Sequence, residues 1–445
     1  MAQSTSITTR EIMRLAIPAI VAGVAEPVIS LTDVAVIGNI KGDATDALAA
    51  VGLVGTFLSA IIWTIAQTKS SISSIVSKAV GDKSLSKIID LIPQVIWINI
   101  LLGLIIYIIT APIADSVFSF YGPSMQVRGI ATSYYQIRAI GFPLTLSSFA
   151  IFGIFRGLQN TSWAMYASLS GAIVNIVLDI ILVFGIKDLI PSMGVEGAAY
   201  ASLIAQVIML LIALFFLFKK TPFGLKIRTW TLHPRLREHL ALTLNFILRT
   251  ASINVLMYLT YRFAGMNDTA TVAAHAVLMN IWLFFSFLID GFANAGNAIG
   301  GKLLGSRDTS SLRFLAIATT KYGVVVAIIL SAVCALFYNS IGRSFTGDAA
   351  VLEVFYSVFW LVLLMQPINA IAFVFDGIFK GWGEARYLRN LLFMLTLFVF
   401  VPSIYLLDYL GHGIHAIWWA IFLWMLGRSI CLVIKFVDRL SSLQN

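Results

Sequence analysis

Twelve long apolar segments run through the chain, and they restrict its fold more than any other feature of the sequence. Each is long enough for the roughly 20 residues that an α-helix needs to cross the hydrocarbon core of a bilayer. Only 11% of the residues are charged, whereas soluble domains carry about 25%. We therefore predict an all-α polytopic membrane protein with twelve transmembrane helices. The segments lie approximately at 12–39, 47–77, 88–117, 127–155, 162–186, 194–218, 238–265, 270–301, 312–341, 350–379, 387–407 and 413–436.

The distribution of basic residues predicts the orientation of these helices. Most of the 30 Lys and Arg residues fall in the termini and in the loops on the side of the N-terminus. Because basic loops stay on the cytoplasmic side, both termini are predicted to be cytoplasmic, in the plasma (inner) membrane. This asymmetry accounts for the net charge of +9 without a nucleic-acid partner. The first apolar segment is too long for the hydrophobic region of a signal peptide, so we interpret it as the first transmembrane helix.

Two separate pairs of segments resemble each other at one sequence offset. In the first pair "GFPLTLSSFAIFGIFRGLQNT" resembles "MQPINAIAFVFDGIFKGWGEA", and Pro143 aligns with Pro367. In the second pair Gly81 aligns with Gly305, again at an offset of 224 residues, about half of the chain. A shared offset indicates an internal repeat. The paired segments are 141–161 with 365–385, and 77–88 with 301–312.

The repeat predicts the domain organisation. We expect an N-terminal six-helix lobe at 1–218, a basic cytoplasmic linker at 219–237 and a C-terminal six-helix lobe at 238–445. An even number of helices in each lobe makes the two repeats parallel. Many transporters consist of two such pseudo-symmetric halves and bind their substrate near the bilayer midplane. The linker is either a connector that sets the topology or a surface that binds anionic lipid headgroups.

The first helix carries two acidic residues within an apolar segment. Glu26 and Asp33 are seven residues apart, which is two helical turns, so they share one face of the helix. Ionisable residues inside a membrane indicate a functional site. Pro27 lies between them and removes a backbone hydrogen bond, so we predict a hinge there. We place Glu26 in the substrate cavity and Asp33 in a cation-coupling site.

The fifth helix provides the matching polar residues. Asn175 and Asp179 are spaced i, i+4 and therefore lie on one face. Asp33 and Asp179 both fall in the outer halves of their helices, so they have similar depth. Together with Ser202 of the sixth helix, they form a predicted site for a proton or, as the alternative, for Na⁺. Two adjacent carboxylates away from water retain a proton readily. The structural alternative is that these side chains only satisfy buried polar groups between helices.

In the second half, Asp290 lies in the middle of a helix, and we predict that it lines the substrate cavity with Arg249. The alternative is an internal ion pair between the two, because buried charges are usually paired. Met279 and Trp282 are candidates for an apolar cavity wall, with lipid contact as the alternative. Asp376 lies near a cytoplasmic helix end, where we expect it to be solvated or to contact a loop.

No enzyme signature occurs in the sequence. There is no P-loop, no HExxH motif and no Ser-His-Asp arrangement, and the five histidines form no metal-ligand array. We therefore predict a non-enzyme that needs no cofactor and has no certain metal site. A membrane enzyme would need a catalytic cluster, and a purely structural subunit would have no need of five intramembrane acids.

Four stretches resemble the MATE family (multidrug and toxic compound extrusion), and most closely its DinF-like branch. They are "LAIPAIVAGVAEPVISLTDVAVIGNI", "NIVLDIILVFGI", "LIDGFANAGNAIGGKLLGSRD" and "FDGIFKGWGEARYLRN". The resemblance covers nearly the whole chain in order. It implies twelve helices in two V-shaped six-helix lobes. It also implies export of organic, often cationic and amphipathic compounds, driven by inward movement of H⁺ or Na⁺.

The resemblance also implies roles for individual residues. Asp33 matches the family's coupling aspartate of helix 1, and Asn175 and Asp179 match its helix 5 pair. Ser202 stands where a Thr is common. Helix 7 carries Arg249 and lacks the acid that some Na⁺-coupled relatives have there, which favours a coupling site in the first lobe.

Together these observations predict a secondary active antiporter that acts as a monomer in the lipid bilayer. It would export small organic compounds in exchange for H⁺ or Na⁺ by alternating access. A flippase for lipid-linked precursors, from the same broad superfamily, is the alternative. Such flippases tend to have more helices or a cationic cavity, whereas the first-half candidates here are acidic.

Overall fold

The computed structural model describes residues 7–40, 44–187, 189–227 and 231–444, without the side chains of residues 26, 27, 30, 31 and 444. These ranges are almost entirely helical and contain no β-strand. A short 3₁₀-helix occupies Leu85–Ile88, and a π-helical turn occupies Thr396–Phe400. The α-helices are α1 (Thr9–Ile37), α2 (Ala44–Ile65), α3 (Thr68–Gly81), α4 (Leu91–Thr110), α5 (Ala114–Ser119), α6 (Met125–Ala139), α7 (Phe142–Gly157), α8 (Ser162–Phe184), α9 (Gly194–Lys220), α10 (Pro234–Asn267), α11 (Thr269–Ser306), α12 (Thr309–Leu336), α13 (Tyr338–Phe345), α14 (Ala349–Leu364), α15 (Gln366–Gly381), α16 (Ala385–Leu395), α17 (Val401–Tyr409) and α18 (Ile414–Gln444).

The predicted membrane spans are present. Within the described ranges, nine helical segments are long and apolar enough to cross a membrane, or eleven if each of two bent pairs forms one span. The bent pairs are α6 with α7, at 46°, and α14 with α15, at 50°. At 1.5 Å per residue, α1 with its 29 residues is also long enough to cross. These segments coincide with the twelve predicted ones, so the all-α, twelve-helix fold is confirmed.

Proline explains where the two bends occur. Pro143 lies in the first turn of α7, and Pro367 lies in the first turn of α15. Proline has no N–H to donate and its ring collides with the preceding turn, so a helix cannot run straight through it. The two prolines are related by the repeat offset of 224 residues. The two halves of the chain therefore bend at equivalent positions.

Helix packing divides the chain into two compact units. Unit 1 consists of Met1–Ile20, Ser77–Lys83 and Ala241–Asn445, and unit 2 consists of Val21–Val76 and Ser84–Leu240. In unit 1, buried aromatic residues such as Phe355 and Trp418 form a hydrophobic core among α11, α14 and α18. Unit 2 has its own core. The predicted lobes at 1–218 and 238–445 and the linker at 219–237 rest on sequence similarity, and they stay a prediction.

Each unit contains a close contact between two helices at a glycine, and the two contacts are at equivalent positions. In unit 2, a Cβ atom at Gly153 of α7 would overlap the backbone carbonyl of Lys69 in α3. In unit 1, a Cβ atom at Gly377 of α15 would overlap the backbone carbonyl of Ala293 in α11. Both residues of the second contact follow those of the first by 224 positions. The sequence repeat therefore corresponds to a repeat in packing, in which glycine lets two helix backbones approach closely.

This packing predicts the effect of a single added methyl group. We expect Gly377→Ala to lower the free energy of unfolding by about 1–3 kcal/mol, because the methyl group would force two backbones apart. Gly265→Ala in α10 is the matched control, since a Cβ atom there meets nothing within 4 Å. It should be neutral or slightly stabilising, because Ala favours helix more than Gly does. Unfolding in mixed micelles of increasing SDS content measures both variants, and equal effects would contradict the packing argument.

Candidate functional site

The predicted coupling residues of α8 and α9 lie together in unit 2. The buried stripe of α8 recurs every four residues, at Ala167, Gly171, Asn175, Asp179 and Val183. This spacing places the amide and the carboxylate on one face, one turn apart. The stripe packs on α9, where the Asn175 amide nitrogen donates a hydrogen bond of 3.2 Å to the hydroxyl of Ser202. Small residues on the stripe allow this approach.

Asp33 of α1 meets Asp179 of α8. Both carboxyl groups are buried, with 7% and 0% of the residue surface exposed, and they lie within hydrogen-bonding reach of each other. The structure therefore brings Asp33, Asn175, Asp179 and Ser202 into one region of unit 2. Their grouping agrees with the prediction, and their role in coupling stays a proposal.

Four buried acceptor oxygens at this site lack a hydrogen-bond donor among the described residues. They are Oδ1 of Asp33, Oδ1 and Oδ2 of Asp179, and Oδ1 of Asn175. Two ionised carboxylates can only accept, so neither can satisfy the other. A proton shared between them would convert one into a donor, and a bound monovalent cation would satisfy the oxygens directly. One added positive charge, either a proton or a monovalent cation, would therefore satisfy these oxygens.

Two further residues of α6 belong to this site, and the sequence analysis missed both. Arg138 interacts electrostatically with Asp33 and Asp179, and its guanidinium lies 6.0 Å from the ring centroid of Tyr134. Its i, i+4 spacing from Tyr134 was a weak signal, since many helices carry such pairs. One cation beside two acids leaves a net negative charge when both acids are ionised.

A second buried ionic cluster lies in unit 1, and it corrects two predictions. Asp376 of α15 is 3% exposed and forms ion pairs with Arg249, Lys380 and Arg428. The expectation that Asp376 is solvated is therefore wrong. The alternative that Arg249 forms an internal ion pair with Asp290 is also wrong, because Arg249 pairs with Asp376. The signal for the correct pairing was weak, because the partners are 127 residues apart in the chain.

The other candidates for a substrate cavity have different environments. Asp290 is exposed and accepts a hydrogen bond of 2.9 Å from Asn294. Met279 and Trp282 are buried in the hydrophobic core of unit 1, which rules out lipid contact and favours a packing role. Glu26 and Pro27 lie within α1, but their side chains are outside the described part of the chain. Their predicted roles in the cavity and the hinge stay predictions.

A protein-family model described as MatE matches the chain at residues 18–181 and again at 244–406. The chain belongs to the MatE family. One match falls in each predicted half, so the resemblance seen in the sequence is confirmed. MatE family members are membrane transporters and not enzymes. This MatE family protein is therefore a multi-pass membrane transporter.

Known relatives agree with this assignment. The protein is 29% identical to DETOXIFICATION 42 from Arabidopsis thaliana over 333 residues, which are 74% of this chain and 62% of that relative. The match thus spans less than two thirds of the relative's length. DNA damage-inducible protein F from Escherichia coli is 26% identical over 428 residues, covering 95% of this chain and 91% of the relative.

The solved structure of a MOP superfamily transporter from Pyrococcus furiosus has the same fold. The two structures superimpose with a TM-score of 0.90, and the match covers 98% of this MatE family chain and 96% of the other chain. The two sequences are 22% identical. At this identity the likeness concerns the fold alone. The site residues therefore rest on the geometry of this chain.

The hydrogen bond between Asn175 of α8 and Ser202 of α9 leads to a prediction about the stability of this site. We expect Ser202→Ala to lower the free energy of unfolding by about 1–3 kcal/mol, because the buried Asn175 amide loses its acceptor. Ser202→Thr keeps a hydroxyl and should cost less. Unfolding in SDS mixed micelles measures both. If the Ala and Thr variants lose stability equally, the hydrogen bond does not hold the amide in place.

Proposed function

We propose that this protein is a secondary active antiporter of the plasma membrane, with both termini in the cytoplasm. It exports organic, cationic and amphipathic compounds in exchange for H⁺ by alternating access, acting as a monomer. The observation that supports this most directly is the buried pair of Asp33 and Asp179, whose oxygens lack donors among the described residues. A pair with this deficit binds one positive charge and releases it when the surroundings change.

The same pair couples proton binding to a movement of α1. With one shared proton, Asp33 and Asp179 attract each other through a hydrogen bond. Without it, two like charges about 4 Å apart repel by about 4 kcal/mol at an effective dielectric constant of 20. Asp179 is fixed, since its helix packs on α9 along the buried stripe. Relief of the repulsion therefore moves α1, for which Pro27 would supply the hinge.

Coupling follows when proton and substrate favour different conformations. A cationic compound competes with the proton because it also neutralises the ionised pair, and an amphipathic one adds apolar contact. The hydrogen-bonding reach between Asp33 and Asp179 supports H⁺, because a proton shared by the two acids would form that bond.

Na⁺ is the second candidate for the coupling ion. The observation in its favour is Oδ1 of Asn175, an acceptor that a shared proton between the two acids does not need. An amide oxygen, two carboxylates and the Ser202 hydroxyl form a set of hard oxygen ligands, which alkali and alkaline-earth cations prefer.

Substitution of Asp33 tests the coupling. In proteoliposomes, we expect Asp33→Asn to abolish efflux of a fluorescent cationic dye driven by a pH gradient, because the amide cannot be ionised. Asp115→Asn is the matched control, since Asp115 forms only an exposed ion pair with Arg128, of a kind that contributes little. Unchanged dye-driven proton movement in Asp33→Asn would show that the mechanism is wrong.

Separate gradients identify the ion. Dye efflux under a pH gradient alone supports H⁺, and efflux under a Na⁺ gradient alone supports the second candidate. If folded protein moves dye under neither gradient, the antiporter proposal fails for this class of substrate and the lipid-linked precursor flippase becomes the better hypothesis.

A further inference from the structure

The ionic cluster of unit 1 contains more positive than negative charge. It consists of Arg249 from α10, Asp376 and Lys380 from α15, and Arg428 from α18, and we call it the Asp376 cluster. The Asp376 oxygens lie 2.7 Å from Arg249, 2.9 Å from Arg428 and 3.0 Å from Lys380. One carboxylate thus faces three cations. Asp290 interacts electrostatically with Lys380 and Arg428, and counting it still leaves one positive charge in excess.

An excess charge is expensive at this location. Arg428 is 1% exposed and lies near the middle of α18, within an apolar span. Buried charges in proteins are normally paired, since an unpaired one loses its hydration without compensation. Asp376 cannot supply more, because Arg249 and Arg428 approach its Oδ1 and Lys380 approaches its Oδ2.

Arg428 has a donor that no described residue uses. Its Nε has no acceptor among those residues, whereas its Nη2 forms the ion pair of 2.9 Å with Asp376. The guanidinium lies 5.2 Å from the ring centroid of Phe373 and 5.7 Å from that of Trp424. Aromatic faces of this kind hold an arginine plane in a fixed orientation. The result is a fixed, partly unused set of donors that is buried in unit 1.

We propose that the Asp376 cluster binds the carboxylate group of an organic monoanion. One excess positive charge matches one carboxylate, and an arginine fork matches carboxylate geometry. The ligand approaches at the edge formed by Lys380, whose side chain is 18% exposed, and by the exposed Asp290. This goes beyond the proposed antiport and does not rest on it, because the site lies in unit 1 and involves neither Asp33 nor Asp179.

Ligand binding to the purified full-length protein tests the proposal directly. The probe is sodium benzoate, titrated at constant Na⁺ concentration and ionic strength, with the thermal midpoint Tm and tryptophan fluorescence as readouts. We expect a saturable rise in Tm, because a ligand that binds only the folded state stabilises it. Benzamide, the uncharged isostere, and chloride should give no comparable rise. No rise with benzoate, or an equal rise with benzamide or chloride, would overturn the proposal.

Three substitutions identify the site. Lys380→Met should weaken benzoate binding about tenfold or more, because a charged partner is lost, whereas Lys380→Arg should retain it. Lys435→Met is the control, since Lys435 forms a surface ion pair with Asp438 on the same helix as Arg428. Equal benzoate affinity in Lys380→Met and Lys435→Met would overturn the site assignment.

The Asp290→Asn variant distinguishes a cluster that binds an anion from one that only stabilises the fold. If the cluster binds an anion, removal of the neighbouring negative charge should tighten benzoate binding about 3- to 10-fold. If Asp290 only balances the cluster, the variant should unfold more easily and gain no affinity, which would contradict the proposal. Asp33→Asn should bind benzoate normally, so failure of the antiport and failure of the anion site give different results.

Discussion

The cost of an uncompensated charge away from water governs both ionic sites of this protein. In a bilayer the backbone satisfies its own polar groups by forming helices, but ionised side chains have no such local solution. Each must find an opposite charge, a proton or a ligand. Unit 2 has an acid pair with one nearby cation, and unit 1 has three cations around one acid. The two deficits have opposite signs, so each would be balanced by a different species.

Glycine lets helix backbones approach closely at equivalent positions of the two halves. Gly153 and Gly377 serve this role at equivalent positions of the two halves. In unit 1, Gly81 also lies against the backbone of Lys302, and Gly305 lies against that of Lys78. These two contacts are related to each other by the same offset. A repeat can therefore preserve its packing while its ionic side chains diverge.

The features that could be predicted from the sequence depend on local spacing. The length of the apolar segments predicts the spans, and the i, i+4 spacing of Asn175 and Asp179 predicts their common face. Pairing across the chain was harder, because it depends on tertiary packing. Arg249 contacts Asp376 and leaves Asp290 exposed, and no periodicity distinguishes these two acids. The proximity of Arg138 to Asp33 likewise depends on tertiary packing, so the residues around Arg138 do not indicate it.

The charge of the exported compound decides which part of the proton-motive force can drive this exchange. Export of a monocation for one H⁺ moves no net charge, so only the pH difference contributes. A zwitterion, which has one cationic group and one carboxylate, carries no net charge. Its exchange for H⁺ moves one charge, worth about 2.3 kcal/mol at 100 mV, or about a 40-fold gradient at 1.4 kcal/mol per tenfold. Under the proposed antiport, a monocation would thus be a pH-driven substrate, and a neutral zwitterion would be a voltage-assisted one.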